Sequence, residues 1–303
     1  VKVTPDIVGL GFCSVDHLCV VPEIPYDAKV QIIDSLIQGG GPAATATVAA
    51  ARLGVSTAFV GTVGDDARSR AILEEFEREG VSTDHIVVRE GAESAAAYCW
   101  AEDGSGKRSI AWTHGTATPL DPSEIDEDLI RSAKLILLDG HQTDAAMRAA
   151  QIAKEAGTKV LLDAGTLRPY MLALIPLTDI TITSADFARD LMGGDDTEGA
   201  LRKLYDMGPE LVAVTLGSRG SVGYDGDRFV EQPGFQVKTV DTTGAGDTYH
   251  GAFGAGYLGN PDLAACMRFA AAVAAMKCTK LGGRTGIPTR NDVDAFLRES
   301  TDS

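Results

Sequence analysis

The most chemically loaded stretch of the chain is Thr239-Val-Asp241-Thr-Thr243-Gly244-Ala245-Gly246-Asp247. A strand-like run, Phe235–Val240, precedes the glycines and a helical run follows, so they fall in the turn that opens a helix. With only Ala245 between them, Gly244 and Gly246 leave backbone N–H groups unshielded where the helix dipole favours an anion. Asp247 comes directly after. A carboxylate that accepts a hydroxyl proton, beside donors that hold charge on a transferring phosphoryl group, is the minimal equipment for phosphorylating an alcohol. Taken alone, the same residues also suit a plain helix cap and turn.

Two other segments have a ligand-binding form. Gly39-Gly40-Gly41-Pro42 leads a run of small residues ending at Gly54. Pro42 suits a first helical position, with the helix start either open to a ligand or packed tightly on a neighbour. Val214-Thr215-Leu-Gly217-Ser218-Arg219-Gly220 ends a strand in a glycine loop, where an α/β sheet receives phosphates or simply turns into a hairpin. Gly254-Ala-Gly256-Tyr-Leu-Gly259 fits a dinucleotide spacing but falls within or at the end of a helix rather than after a strand.

The elements that must position these groups follow from hydrophobic rhythm. Short apolar runs at Asp6–Leu10, Thr57–Gly61, Leu135–Asp139, Lys159–Asp163, Asp179–Thr183 and Leu211–Thr215 alternate with helical segments such as Ala67–Glu79, Ala145–Ala156 and Glu198–Met207. That pattern predicts an α/β fold, a doubly wound mostly parallel sheet flanked by helices, with ligands at the carboxyl ends of its strands. Residues 14–38 and 94–112 break the rhythm with strand and hairpin patterns, the second turning at Asp103-Gly104-Ser105-Gly106. They form either a small projecting sheet over a cleft or an antiparallel edge of the main sheet. A further hairpin joins Ser221–Tyr224 to Arg228–Glu231. The expected division is a core of residues 1–13, 39–93 and 113–303 and a lid of 14–38 and 94–112.

Composition narrows the function classes. Among 303 residues, 43 acidic against 27 basic side chains give a net charge of −16, which argues against a broad footprint for nucleic acid or anionic lipid. No apolar run reaches the ~20 residues of a bilayer span and the first residues carry no basic leader, so a soluble cytoplasmic protein is expected. Five cysteines without a CxxC pair read as reduced thiols, and five scattered histidines lack metal-ligand spacing.

The three glycine-bearing segments, in this order, resemble the ribokinase-like (phosphofructokinase B type) carbohydrate kinases, which transfer the ATP γ-phosphoryl group to a sugar or nucleoside hydroxyl. The resemblance runs from Gly11-Phe-Cys-Ser-Val-Asp16 through Gly39–Gly54, Val60–Asp66 and Val214–Gly220 to Asp241–Asp247. It implies Asp247 as catalytic base, Gly244, Ala245 and Gly246 as the anion hole, and Asp16, Gly40 and Gly41 as sugar contacts. It places Thr215, Gly217, Ser218 and Gly220 on the nucleotide side, with Ala271 and Ala275 as an adenine wall. It also implies ATP, Mg2+ and a monovalent cation such as K+ near the loop that begins at Asp241 and Thr243. The projecting strands become the family's lid, and exposed lid edges invite a homodimer.

Departures from the family pattern are equally readable. Thr45, beside Ala44, stands near the place of a frequent Asn. Where many members carry Asn-x-x-Glu, linked to Mg2+ and phosphate handling, this chain reads Ser184-Ala-Asp186-Phe187, with Asp186 as the substitute acid or water holding the metal. The Ser-x-Asp-x-Ala pattern and Leu138-Asp139-Gly140-His141 are closer to ketohexokinase and fructokinase members, with His141 where an Arg is usual. Lys29, Arg108 and His141 are placed to approach the substrate from the lid and the sheet edge, with plain surface positions the alternative for Lys29 and Arg108, and His141 in place of Arg favours a neutral sugar. The implied activity is ATP-dependent phosphorylation of a small sugar, a ketose or related furanose. A nucleoside kinase of the same fold and a non-catalytic sugar- or nucleotide-binding regulator are the alternatives.

Overall fold

A computed structural model describes residues 4–104 and 107–300. Ser105 and Gly106 of the expected lid turn lie outside the described residues. Thirteen strands form: β1 (Ile7–Leu10), β2 (Ser14–Val21), β3 (Asp34–Gly40), β4 (Thr57–Gly64), β5 (Val81–Arg89), β6 (Ala96–Glu102), β7 (Arg108–Thr113), β8 (Leu135–Leu138), β9 (Lys159–Ala164), β10 (Ile180–Ser184), β11 (Leu211–Thr215), β12 (Ser221–Tyr224) and β13 (Phe229–Gln232). The helices are α1 (Pro42–Arg52), α2 (Ala67–Arg78), α3 (Glu127–Ser132), α4 (Thr143–Ala156), α5 (Pro169–Leu174), α6 (Ala185–Met192), α7 (Thr197–Asp206), α8 (Ala245–Gly259), α9 (Leu263–Lys277) and α10 (Arg290–Glu299).

Nine strands make one sheet in the order β13-β12-β11-β10-β9-β8-β1-β4-β5. From β11 to β5 every pairing is parallel, and β12 and β13 add an antiparallel edge. Strands covered on both faces must be apolar throughout, which is why β1 and β8 read as unbroken hydrophobic runs. Alternation then divides the side chains between two cores. Ile7, Leu135, Leu137 and Leu161 meet α1, α8 and α9, whereas Val8, Leu10, Ile136 and Leu138 meet α4 and α7. Each such buried aliphatic contributes about 1.5–3 kcal/mol, so either layer is intolerant of polar substitution. The small residues of α1 let helices touch: a Cβ at Gly251 of α8 would lie 2.0 Å from the Ala46 carbonyl oxygen.

The remaining strands form a separate four-stranded sheet, β3-β2-β6-β7, so residues 14–38 and 94–112 build a small projecting sheet and not an edge of the large one. It is mixed: two antiparallel hairpins are joined by the parallel pair β2–β6. Its register puts Asp16, Leu18, Cys99, Ile110, Trp112 and Arg108 on one face. Arg108 reaches Thr242 and Thr243 at 3.4 Å, so that face looks onto the start of α8.

Two expectations fail locally. The run Phe235–Val240 is no strand: the β12–β13 hairpin ends at Gln232, and Pro233 has no N–H to continue the ladder. Instead Val240 and Asp241 donate to the Cys278 carbonyl, tying this stretch to the end of α9. Conversely β5, with its polar residues at Ser82, Thr83 and Asp84, forms an edge strand that hydrophobic runs alone did not reveal. Cys19 is half-buried while the other four cysteines are buried, and all five are free thiols. Among the described residues no helix is long and apolar enough to cross a membrane.

Candidate active site

Gly244 caps α8 in the left-handed region at φ 71°, a conformation that favours glycine. The first-turn amides of a helix have no partner within it. Ala245 spends its N–H on the Thr242 carbonyl at 3.2 Å, and Thr248 donates to Gly244 O at 2.9 Å. The N–H groups of Gly246 and Asp247 have no partner among the described residues. A Cβ at Gly246 would meet nothing within 4 Å, and the residue is exposed.

This helix start separates two cavities. Gly246 and Ala245 line one of about 370 Å³, and Asp247 lines another of about 150 Å³. The larger receives Thr215, Gly217, Ser218 and Gly220 from the end of β11, and Ala271 and Ala275 from α9. All six residues expected on the nucleotide side therefore share one wall-and-floor arrangement with the α8 start. Phe235 and Val237, from the stretch that fails to pair, add apolar surface.

The smaller cavity lies at the carboxyl ends of β8 and β9, where Asp139 and Asp163 stand beside Pro42, His141, Arg168 and Asp247. Asp139 joins three elements: its Oδ2 accepts from the N–H groups of Phe12 (2.9 Å) and Ala43 (3.1 Å), and its Oδ1 from that of His141 (2.9 Å). Burial pushes the Asp163 carboxyl up to about 8, with the Asp139 charge adding to the shift. Burial likewise raises Asp247, and the neighbouring Asp163 raises it further. A carboxyl whose proton affinity approaches neutrality is a stronger base than an ordinary aspartate. His250 anchors the helix start below: Nδ1 lies 2.7 Å from Gly246 O and 3.3 Å from Asp163, and Nε2 lies 3.2 Å from Ile182 O. Burial lowers the proton affinity of this imidazole.

The glycine-rich start of α1 is built differently. Gly39 donates to Glu75 Oε2 at 2.6 Å and lies against the fully buried Arg284, whose Nη1 pairs with Glu75 Oε1 at 3.0 Å. Arg284 also donates to Gly40 O at 3.1 Å and to Thr45 Oγ1 at 3.2 Å. Gly40 abuts Asp16, whose Oδ1 accepts from Ser14 Oγ at 2.8 Å and whose carboxyl burial raises. Asp16, Gly40 and Gly41 thus gather where β2, β3 and α1 meet, and Pro42 carries the segment to the smaller cavity.

Several expected residues lie elsewhere. Thr45 is buried with its hydroxyl bound to Arg284, which makes it part of the scaffold under the glycines rather than a free sugar contact. Lys29 is exposed in the loop between β2 and β3 and lines neither cavity. Arg108 reaches the Thr242–Thr243 loop just before the α8 start and does not line the smaller cavity. Asp186 is exposed and ion-paired with Arg189 within α6, while Ser184 caps that helix, and this acid lines neither cavity. Asp241 accepts from the N–H groups of Thr243 and Gly282, both at 2.8 Å, and those bonds hold its carboxyl below the usual range despite burial.

The structure also adds residues that motif reading missed. Asp139, quoted above in the Leu138–His141 motif but given no role, and Asp163 both sit at strand ends, a signal that could have found them. Arg168 donates to Tyr170 Oη at 2.9 Å, and His114 joins an aromatic cluster with Phe12 (5.5 Å) and His141 (6.4 Å) at the rim. A more open groove of about 790 Å³ lies at the amino ends of β4 and β5 and is lined by Glu77, Asp84 and Asp126, but none of the glycine-bearing segments reaches it.

A parallel α/β sheet with a small covering sheet, an open helix start and a carboxylate between two cavities defines a phosphotransferase-type site. Residues 5–290 match the model of the pfkB family of carbohydrate kinases, and the chain belongs to that family. A ribokinase of Haemophilus influenzae is 30% identical over 301 residues, covering 96% of this chain and 98% of the relative. An ATP-dependent ribose-1-phosphate kinase of Halopiger xanaduensis is 31% identical over 304 residues, covering 98% and 99%. The structure of Arabidopsis thaliana ribokinase complexed with ribose and ATP superimposes with a TM-score of 0.85 at 26% identity, covering 98% of this chain and 99% of that one.

Proposed function

We propose that this carbohydrate kinase transfers the γ-phosphoryl group of ATP to a hydroxyl of a small sugar, a ketose or related furanose, with Asp247 as general base. The observation that carries the reading is the placement of consecutive residues, Gly246 facing one cavity and Asp247 the other. In this reading the adenine lies against Ala271 and Ala275, and the phosphates run past Gly217 and Gly220 to the open Gly246 and Asp247 amides. The sugar occupies the smaller cavity beside Pro42, His141 and Asp247, with Gly40 and Gly41 reaching it from the segment that ends at Pro42 and Asp16 beside Gly40. Its hydroxyl oxygen attacks phosphorus in line, the bond to the β-phosphate oxygen breaks, ADP leaves, and the proton passes to the Asp247 carboxylate.

No three His, Cys, Asp or Glu side chains converge to hold a metal among the described residues. Mg2+ would enter as the complex of ATP, held by phosphate oxygens and water, and would neutralise charge there. The small sheet closes as a lid, which excludes water that would otherwise hydrolyse ATP. Ile110 and Trp112 on its site-facing side and Ile37 and Tyr98 on the other are exposed apolar groups that a second copy of the chain would cover in a lid-to-lid homodimer. Light scattering of wild type and Trp112→Arg checks this: a wild-type monomer at micromolar concentration excludes the dimer.

Coupled ADP release tests the activity with Mg·ATP against ketoses, aldoses, sugar phosphates and nucleosides. A single strongly preferred furanose is expected. Preference for adenosine or cytidine moves the assignment to a nucleoside kinase, and ATP binding without turnover on any acceptor points to a regulator.

A further inference from the structure

The residues around Asp241 do not fit a monovalent metal ion. A cation in such a loop needs free oxygen ligands. Here the Asp241 carbonyl oxygen accepts a hydrogen bond from Lys277 Nζ at 2.9 Å, and both carboxylate oxygens of Asp241 are taken by the Thr243 and Gly282 N–H groups. Lys277 is the last residue of α9 and is 0% exposed. A wholly buried ammonium is costly and is rarely kept unless it is paired. Its bond goes to a carbonyl rather than a carboxylate, which leaves the charge to act on an anion that approaches. Burial draws its proton affinity down, while the nearby Asp241 and Asp247 charges hold it up. From Asp241 the chain runs through Thr243 directly into the Gly244 turn, so whatever fixes Asp241 also fixes the anion hole.

We propose that the Lys277 ammonium is the resident cation of this loop, standing where the family's monovalent ion would bind, so that this protein binds and uses ATP without K+. The inference rests on the phosphotransfer reading above. Lys277 is a positioning residue: it touches the loop, and the loop touches the phosphates.

The test is ATP affinity by calorimetry in tetramethylammonium buffer with and without KCl, a readout that needs no knowledge of the sugar. Wild-type affinity is expected to be the same in both. Lys277→Met weakens ATP binding about tenfold, as expected for loss of one hydrogen bond to a charged group. Lys277→Ala weakens it similarly and recovers when K+ or ammonium fills the space, which a merely structural lysine would not do. Wild-type affinity that rises with K+, or a Lys277→Ala variant with native affinity in the ion-free buffer, overturns the proposal and leaves the kinase reading standing. Should Lys277→Ala lose its melting transition, the wild-type ion series and Lys277→Met still decide. Absence of ATP binding by wild type in every buffer overturns both readings.

Discussion

The chain has two helix starts that look alike in sequence, Gly39-Gly40-Gly41 before α1 and Gly244-Ala245-Gly246 at α8, and the protein uses them in opposite ways. At α1 the space a side chain would fill is already taken: a Cβ at Gly39, Gly40 or Gly41 would lie 2.2 Å from Arg284 Nη1, Asp16 Oδ2 or Phe12 O respectively. At α8 Gly246 has nothing near it, and its amide faces a cavity. Glycine serves close approach within the protein in the first case and access for a ligand in the second. In the proposed reading the difference separates a scaffold that shapes the sugar side from a surface that takes the phosphate.

Substitutions can break that contrast. The largest effect is expected at Asp247: Asp247→Asn loses about 10²–10⁴-fold in kcat with ATP affinity nearly unchanged, and near-native turnover would remove it as the base. Next, Arg284→Ala leaves Glu75 buried without its partner and is expected to cost about 3–5 kcal/mol of stability by denaturant unfolding. A loss within experimental error would mean that the α1 start does not depend on this pair. Gly40→Ala must displace Asp16 and is expected to destabilise by about 1–3 kcal/mol, whereas Gly246→Ala should fold as well as wild type yet bind ATP more weakly. Equal melting losses in the two variants would erase the distinction.

The smallest expected effects are in pH. Asp247 must be ionised to take a proton, so kcat/KM should rise with pH through a midpoint well above the ordinary carboxylate range. Stability runs the other way: the folded Asp163 carboxyl holds its proton more tightly than the unfolded chain does. Raising the pH from about 4 to about 8 therefore costs the free protein stability. A stability difference between wild type and Asp163→Asn that does not change across that window would contradict the raised carboxyl.

How far the sequence reveals this site depends on how local each signal is. Leu211–Thr215 is a strand with the expected ends, and Thr215, Gly217, Gly220, Ala271 and Ala275 meet at one cavity, because strand ends and helix faces follow from periodicity. Thr45, Lys29 and Asp186 carry suitable chemistry but line neither cavity: Thr45 is held by Arg284, 239 residues away, Asp186 pairs with Arg189 in its own helix, and Lys29 stands exposed in a loop. Lys277 and Arg284 were invisible for the same reason. Buried cations announce themselves only through the loops that enclose them, and no spacing rule encodes those. Phe235–Val240 has strand composition, yet pairing needs a free neighbour edge, which Pro233 and the turn to α9 deny it.

The most direct measurement is a crystal structure with a non-hydrolysable ATP analogue and Mg2+. The contrast between the two helix starts predicts the terminal phosphate against the Gly246 and Asp247 amides, with no phosphate oxygen on the amides of Gly39–Gly41. Phosphates bound at the α1 start, with the α8 start left to solvent, would contradict it.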